Sequence, residues 1–379
     1  MAGCAKEETS TTIDDEIASL GLETLPAVQF PANNTSTSAK IALGRLLFWD
    51  PILSGHKDVA CATCHHPDFA YGDGLDLPVG VNGTGLGPER TENTGGLQLI
   101  SPIERVPRNS PSILNTAFNG MTSASSYLPE MAPMFWDVRM LSLEAQCQGP
   151  VGSRSEMRGE MFENESHLDG LIARVAAVPE YASWFNTAFP ESETAVSVEN
   201  FTKAMGSFER TIVSDNSPYD QYLKGERSAL TEQQKEGLLL FFGKANCGSC
   251  HSGPMLSNFN FHALGVPENP SHPEGPDKGK DGLYKFRTPT LRNVEITGPY
   301  MHNGMLANLR DVVEFMNEGV TGNENVLSGM LDPEMKPLGL TANEMDAIVA
   351  FMKSLTDSNF DRTIPQVVPS GLPVGGNIN

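Results

Sequence analysis

Long apolar runs are missing from this chain. No stretch approaches the roughly 20 apolar residues that span a bilayer, and no hydrophobic signal core is present. Positive charge is scarce: 26 Lys and Arg stand against 47 Asp and Glu, a net charge of −21. So acidic a surface disfavours nucleic acid and anionic membrane surfaces. It suits a small basic partner, whose encounter rate the field would raise; simple solubility is the plainer reading. Aromatic residues are 7% and hydrophobic residues 39%, so side chains alone furnish a modest core. Strand patterns are scarce or absent. Abundant instead are glycine, 36 copies, and proline, 27, which imply many long loops. At 379 residues the chain has room for two domains of ordinary size.

Cysteine is sparse as well. Of six, four fall in two copies of one pentapeptide, Cys61-Ala62-Thr63-Cys64-His65 and Cys247-Gly248-Ser249-Cys250-His251. Cys-x-x-Cys-His attaches c-type haem. Two thiols three apart form thioethers to the two vinyl groups of one porphyrin, and the adjacent histidine reaches the iron from the proximal side. A zinc site would need further ligands at matched spacing, and a redox dithiol does not need the following histidine. The sequence therefore predicts two covalently bound haem c groups, one in each half. Each is a large apolar body able to seed a core where side chains are few. Covalent attachment of this type implies a compartment outside the cytoplasm, the periplasm in a bacterium. The other two cysteines are not expected to pair. Cys147 reads as a buried free thiol. Met1-Ala2-Gly3-Cys4 ahead of a polar run resembles the end of a bacterial lipoprotein signal, in which the cysteine is lipidated; a lone N-terminal thiol is the alternative.

Residues 1–38 are rich in Thr, Ser, Glu, Asp and Asn and read as a flexible tether with at most one short helix, Ile13–Leu20. Lys40–Trp49 has helical apolar spacing, stops at Pro51 and leads into the first haem motif. From Asp68 to Pro111 the chain is dense in Gly, Pro, Asn and Thr and reads as one long irregular region. A helix is expected at Glu199–Val213, with Phe201, Met205, Phe208 and Ile212 on one face. Asp215-Asn216-Ser217-Pro218 then breaks the chain. Thr231-Glu232-Gln233-Gln234 is a capping box opening the helix Gln233–Phe242 ahead of the second motif. Thr341-Ala342-Asn343-Glu344 is another, opening Glu344–Leu355. A helix before the motif and a packed helix near the domain end is the cytochrome c plan, and it occurs twice. The expected fold is mainly α: two cytochrome c-like haem domains with long irregular loops, a distant internal duplication.

The text around the motifs says more. Leu43-Gly44-Arg45-Leu46-Leu47-Phe48, Pro107-Arg108-Asn109-Ser110-Pro111, Phe135-Trp136-Asp137-Val138-Arg139 and Gln146-Cys147-Gln148-Gly149-Pro150-Val151 resemble the bacterial dihaem cytochrome c peroxidase family, which includes the MauG-type enzymes. So do Phe286-Arg287-Thr288-Pro289-Thr290-Leu291-Arg292-Asn293-Val294 and Pro299-Tyr300-Met301-His302-Asn303-Gly304. The resemblance runs in order over residues 39 to 356. It implies an N-terminal peroxidatic haem domain (39–216), a C-terminal electron-transfer haem domain (217–356), and a tail (357–379) packing back on the first. Hydrogen peroxide would be reduced at the N-terminal haem with electrons entering through the C-terminal one.

The resemblance also implies roles. Trp136 corresponds to the family's tryptophan between the haems, an aromatic bridge for electrons; a core tryptophan is the bland alternative. Glu156 follows Gln146 by ten residues, as the family's distal glutamate follows its distal glutamine. The carboxylate would carry a proton between the two peroxide oxygens, with Gln146 donating a hydrogen bond. Viewed alone, Glu156 is a solvated surface acid. Met316, in the helical run Leu309–Met316, falls where the family places the C-terminal haem's axial methionine, a ligand that raises the potential. Core packing is the alternative role, and Tyr300, Met301 and His302 are the alternative ligands. MauG-type members have a tyrosine there, so this feature sides with the peroxidases. A second departure sides with MauG: between His66 and His167 the chain has no histidine, whereas many family peroxidases block the resting N-terminal iron with one. The peroxidatic haem is therefore expected to be open without prior reduction. Asn109, Thr297 and Pro299 fall on the family's calcium positions, an asparagine side chain and two backbone carbonyls; a turn residue is the plainer reading of Asn109. His56, His167, His262 and His272 show no motif.

The leading expectation is a periplasmic dihaem cytochrome c peroxidase, tethered if Cys4 is lipidated, fed by a small cytochrome c or a cupredoxin, with a homodimer left open. A MauG-like peroxide-dependent oxidase acting on a partner protein is the second reading. A non-catalytic dihaem electron carrier is the third, and it requires both irons to be six-coordinate.

Overall fold

The computed structural model describes residues 11–93, 103–125, 127–163, 166–273 and 275–379. Cys4 lies outside them, and so does the question of its lipidation. Twelve α-helices carry most of the regular structure among the described residues. They are α1 (Ile13–Ser19), α2 (Ser38–Trp49), α3 (Cys61–Cys64), α4 (Leu143–Gln146), α5 (Gln148–Gly152), α6 (His167–Ala176), α7 (Pro179–Ala188), α8 (Val198–Glu209), α9 (Pro218–Leu223), α10 (Glu232–Phe242), α11 (Leu309–Glu318) and α12 (Ala342–Lys353). The strands form three two-residue antiparallel pairs: β1 (Gly83–Thr84) with β2 (Thr91–Glu92), β3 (Pro133–Met134) with β4 (Met140–Leu141), and β5 (Phe261–His262) with β6 (Phe286–Arg287). The fold is mainly α.

Two hydrophobic cores repeat one device. In the first, α2 crosses α8. Gly44 makes the approach close: a Cβ there would lie 2.1 Å from the Ala204 carbonyl oxygen. In the second, α10 crosses α12 at Gly237, where a Cβ would lie 1.9 Å from the Ala347 carbonyl oxygen. Glycine is required at both crossings because nothing larger fits between the backbones. Around the first crossing Leu43, Leu47, Phe48, Phe201 and Phe208 are buried. Around the second Leu238, Phe241, Ile348 and Phe351 are buried. Each such side chain contributes roughly 1.5–3 kcal/mol by leaving water. Both α2 and α10 deliver the chain directly to a Cys-x-x-Cys-His turn.

The helix starts follow from local chemistry. Thr231 and Thr341 form the expected capping boxes with Gln234 and Glu344. Each helix begins one residue after its threonine, earlier than the apolar spacing suggests. α8 ends at Glu209 rather than Val213, because the next amides turn back to Phe208 and Glu209. Ile212 nevertheless stays buried. Ser217 caps α9 and forms a capping box with Asp220. Asp220 in turn receives Arg292 at 2.9 and 3.1 Å, a pair buried to 1% and 2% exposure.

The expectation of a flexible tether over 1–38 is corrected in the described part. α1 packs on α10, and Ile17 is buried in the second core. Asp14 accepts from the Tyr222 hydroxyl at 2.7 Å and pairs with Lys235 at 3.1 Å. Asn34 is fully buried and donates to Glu144 and to the Lys203 carbonyl. A polar composition hid these contacts, because each partner lies far along the chain. Residues 357–379 run the other way, onto the first core. Phe360 and Val368 are buried there, Ser370 binds Asp50 at 2.7 Å, and the Gly375 carbonyl accepts from Thr63 at 2.9 Å.

Candidate functional site

One continuous cavity joins the two Cys-x-x-Cys-His turns. Cys61, Cys64 and His65 line it at one end, and Cys247, Cys250 and His251 line it at the other. No disulfide joins the described cysteines. His65 Nδ1 lies 3.0 Å from the Tyr71 carbonyl oxygen, and His251 Nδ1 lies 2.9 Å from that of Leu256. Each contact makes Nδ1 the protonated nitrogen and leaves Nε2 as the bare ligand atom. Burial pushes both imidazoles down, His251 to about 4, which keeps them neutral. Among the described residues no cluster of three or more His, Cys, Asp or Glu side chains is suited to a metal ion, so nothing there completes a zinc site.

A buried cation gives an independent test of what fills the cavity. Arg287 is 7% exposed and lines it. Its Nε donates to the Phe135 carbonyl at 3.1 Å, and its Nη1 reaches the Thr288 carbonyl at 3.5 Å. No described carboxylate pairs with it. Desolvation alone pushes it down to about 10. The buried Arg210 and Arg292, by contrast, are met by Glu144 and Asp220. An unpaired buried guanidinium calls for an anion. A haem carries two carboxylates, so apolar walls, two histidines and an uncompensated arginine fit that group.

Trp136 stands in the cavity wall with 9% exposure. Its Nε1 donates to the Asn109 carbonyl at 3.0 Å, and its own carbonyl accepts from the Arg287 amide at 2.8 Å. Phe135 and Val138 around it have φ of +65° and +51°. Bulky and β-branched residues rarely sit there, and such strain persists only where the surroundings impose it. The Asn109 amide in turn donates to the His302 carbonyl at 2.8 Å. Trp136 is thus tied at once to both halves.

Gln146 ends α4 and lines the same cavity. Glu156 lies on a π-helical turn, Arg154–Arg158, of a kind frequent at functional sites. The backbone of this turn is pinned: the Val81 amide donates to the Ser155 carbonyl at 3.2 Å, and a Cβ on Gly80 would lie 2.1 Å from that oxygen. The Glu156 side chain opens on the cavity. Burial pushes its carboxyl up, and Arg139 partly opposes that. Asn109, Thr297 and Pro299 also border the cavity, as do Met316 and its alternatives Tyr300, Met301 and His302. His302 stacks on Phe286 with centroids 3.6 Å apart.

Sequence reasoning missed three groups on this wall. Arg287 carried no signal of its own, since nothing in a sequence shows which arginine loses its counter-charge. His262 is half-buried against Asp332 at 2.6 Å. Glu209, at the end of α8, faces the cavity with 5% exposure.

One cavity lined by both motifs, with an uncompensated arginine in its wall, fits a protein that holds two haem groups. A family profile described as "Di-haem cytochrome c peroxidase" matches residues 38–228. The methylamine utilization protein MauG of Methylorubrum extorquens is 34% identical over 344 residues, covering 90% of this chain and 85% of that protein. The cytochrome c551 peroxidase of Pseudomonas aeruginosa is 32% identical, covering 83% of this chain and 78% of its own. A solved MauG-like protein associated with microbial copper homeostasis superposes with a TM-score of 0.71 at 28% identity, over 88% of this chain and 94% of that one. The chain belongs to the di-haem cytochrome c peroxidase family, and is a peroxide-reducing oxidoreductase with two haem groups.

Proposed function

We propose that this enzyme reduces hydrogen peroxide to water in the periplasm, drawing electrons from a small basic redox protein, a c-type cytochrome or a cupredoxin. The observation that carries the reading is the single cavity that holds both motifs, Trp136 and Glu156. Haem iron supplies the redox centre at which peroxide and electrons meet. The thiols of Cys61 and Cys64, and of Cys247 and Cys250, hold the two groups covalently. His65 and His251 present Nε2, and Met316 completes the C-terminal site. Residues 39–216 and 217–356 form the two haem domains. Asn109, with the carbonyls of Thr297 and Pro299, would hold a calcium ion. Trp136 carries electrons across. Glu156 would take a proton from one oxygen of hydrogen peroxide and return it to the other, and Gln146 would donate a hydrogen bond to the substrate. The acidic chain, net charge −21, favours a basic donor.

The absence of histidine between His66 and His167 supports a peroxidatic site that is open in the fully oxidised protein. Stopped-flow mixing of diferric protein with hydrogen peroxide should perturb the Soret band at once. A spectrum unchanged until one haem is reduced would show that another ligand closes the site. The same open site favours a second reading, a MauG-like oxidase acting on a partner protein. Rapid catalytic turnover with reduced small cytochrome c or cupredoxin separates the two, since the oxidase needs no such donor.

A further inference from the structure

Glu209 is the buried acid that the scheme above leaves unused. It ends α8 at 5% exposure and lines the cavity. No described residue gives its side chain a hydrogen bond or an ion pair. Its neighbour Arg210 is committed elsewhere, bound to both oxygens of Glu144 at 2.5 and 2.8 Å. That pair neutralises itself on the α4 side and leaves Glu209 facing the cavity alone. Its place along the cavity is set by α8, which packs on α2 and α4 in the first core. Cys61, the first attachment thiol, and Cys147, which follows Gln146, are both perturbed by its charge. Cys61 is also perturbed by Glu156. Glu209 therefore lies at the N-terminal haem end, on the same rim as the peroxide-handling residues.

The proton balance of the reaction gives such a group work. Reducing one hydrogen peroxide to two waters consumes two electrons and two protons. Glu156 moves a proton from one oxygen to the other and ends as it began. The two protons consumed must therefore come from other groups. We infer that Glu209 stores one of them, holding it more tightly while the haem beside it is reduced, giving it to a peroxide oxygen as that oxygen leaves as water, and recovering it from water through the cavity.

The carboxyl is suited to that task. Desolvation pushes it up to about 8, with Arg210 pulling down and Glu144 pushing up. It thus holds its proton at neutral pH and can give it up when the charge beside it changes. The charged and titratable groups facing it are Arg210, the residue that caps its helix, Glu144 on α4, and the Cys61 and Cys147 sulfurs. The inference rests on the peroxidase reading, but its test does not depend on turnover.

Infrared difference spectra of the dihaem protein, recorded while the N-terminal haem is stepped between ferric and ferrous, should show a protonated-carboxyl band that shifts in heavy water. The band should vanish in Glu209→Gln, persist in Glu156→Gln, and move without vanishing in Glu209→Asp. The N-terminal haem's reduction potential should fall as pH rises around neutrality in the wild type and in Glu209→Asp, and should respond less in Glu209→Gln. Peroxide turnover in Glu209→Gln should drop roughly 10-fold or more with the KM for peroxide unchanged. A band that is absent from the wild type or survives Glu209→Gln overturns the inference, as does an unaltered pH dependence of the potential. A wild type that shows the band but does not turn over peroxide overturns the peroxidase reading and leaves the proton store standing.

Discussion

Replacing Glu156 by glutamine removes one charge and one proton acceptor from the cavity wall and changes little else. The side chains are nearly isosteric. The backbone of the π-helical turn is held by contacts that the change does not touch: the Glu156 amide donates to the Ser153 hydroxyl at 3.4 Å, and the Val81 amide to the Ser155 carbonyl. Both haems and the fold should survive. Peroxide turnover should fall roughly 10²–10⁴-fold, the usual worth of a positioned acid–base group, which corresponds to about 3–5.5 kcal/mol of barrier. The pH profile checks the same assignment. Burial holds the Glu156 carboxyl above its ordinary range, and only the ionised form accepts the first proton. Wild-type turnover should therefore fade as pH drops through that raised value. Arg139 opposes the rise, so Arg139→Gln should move the acidic limb to higher pH, while Arg139→Lys should leave it nearly in place. The displacement should be modest, since the Arg139 side chain is 46% exposed and water screens it. Steady-state turnover with a reduced small cytochrome c, measured across pH, reads both effects. Normal activity in Glu156→Gln, or a limb that moves down in Arg139→Gln, would remove Glu156 from the proton path and weaken the placement of Gln146 beside it.

Met316→His should lower the C-terminal haem's reduction potential and abolish the near-infrared sulfur-to-iron band of the ferric protein; if both persist, Met301 becomes the first alternative ligand. Trp136→Ala should slow electron passage between the haems after one-electron reduction, followed by transient absorption, while each haem keeps its own spectrum. Asp220→Ala strands the buried Arg292 and removes the α9 capping box, so denaturant unfolding should show a loss of about 3–5 kcal/mol.

Legibility in the sequence followed the range of the interaction. Helices flanking the motifs could be read because capping boxes and apolar spacing act within a few residues, and Thr231, Thr341, Phe201 and Phe208 all gave local signals. The haem turns were legible because the attachment chemistry confines five residues to one order. Glu156 was different: alone it reads as a surface acid, and only its neighbours in the chain pointed to a distal role. Its raised pKa comes from a wall assembled out of distant segments. Arg287 and Glu209 were invisible for the same reason, since what distinguishes them is a partner they lack. Contact between α1 and α10, as in the Asp14–Lys235 pair, joins residues more than 200 positions apart in sequence, and no periodicity announces it.

The two peripheral segments are exchanged between the cores. The stretch around α1 is fastened to the second core, while residues 360–375 are fastened to the first, inserting the Gly375 carbonyl against Thr63 inside the first haem turn. Each lobe thus wears a strap that belongs, by chain order, to the other. A cut in the connector at 213–217 would leave two fragments still laced together in opposite directions. The same lacing resists rocking of one lobe against the other, so an electron path through Trp136, as proposed, would keep a constant length.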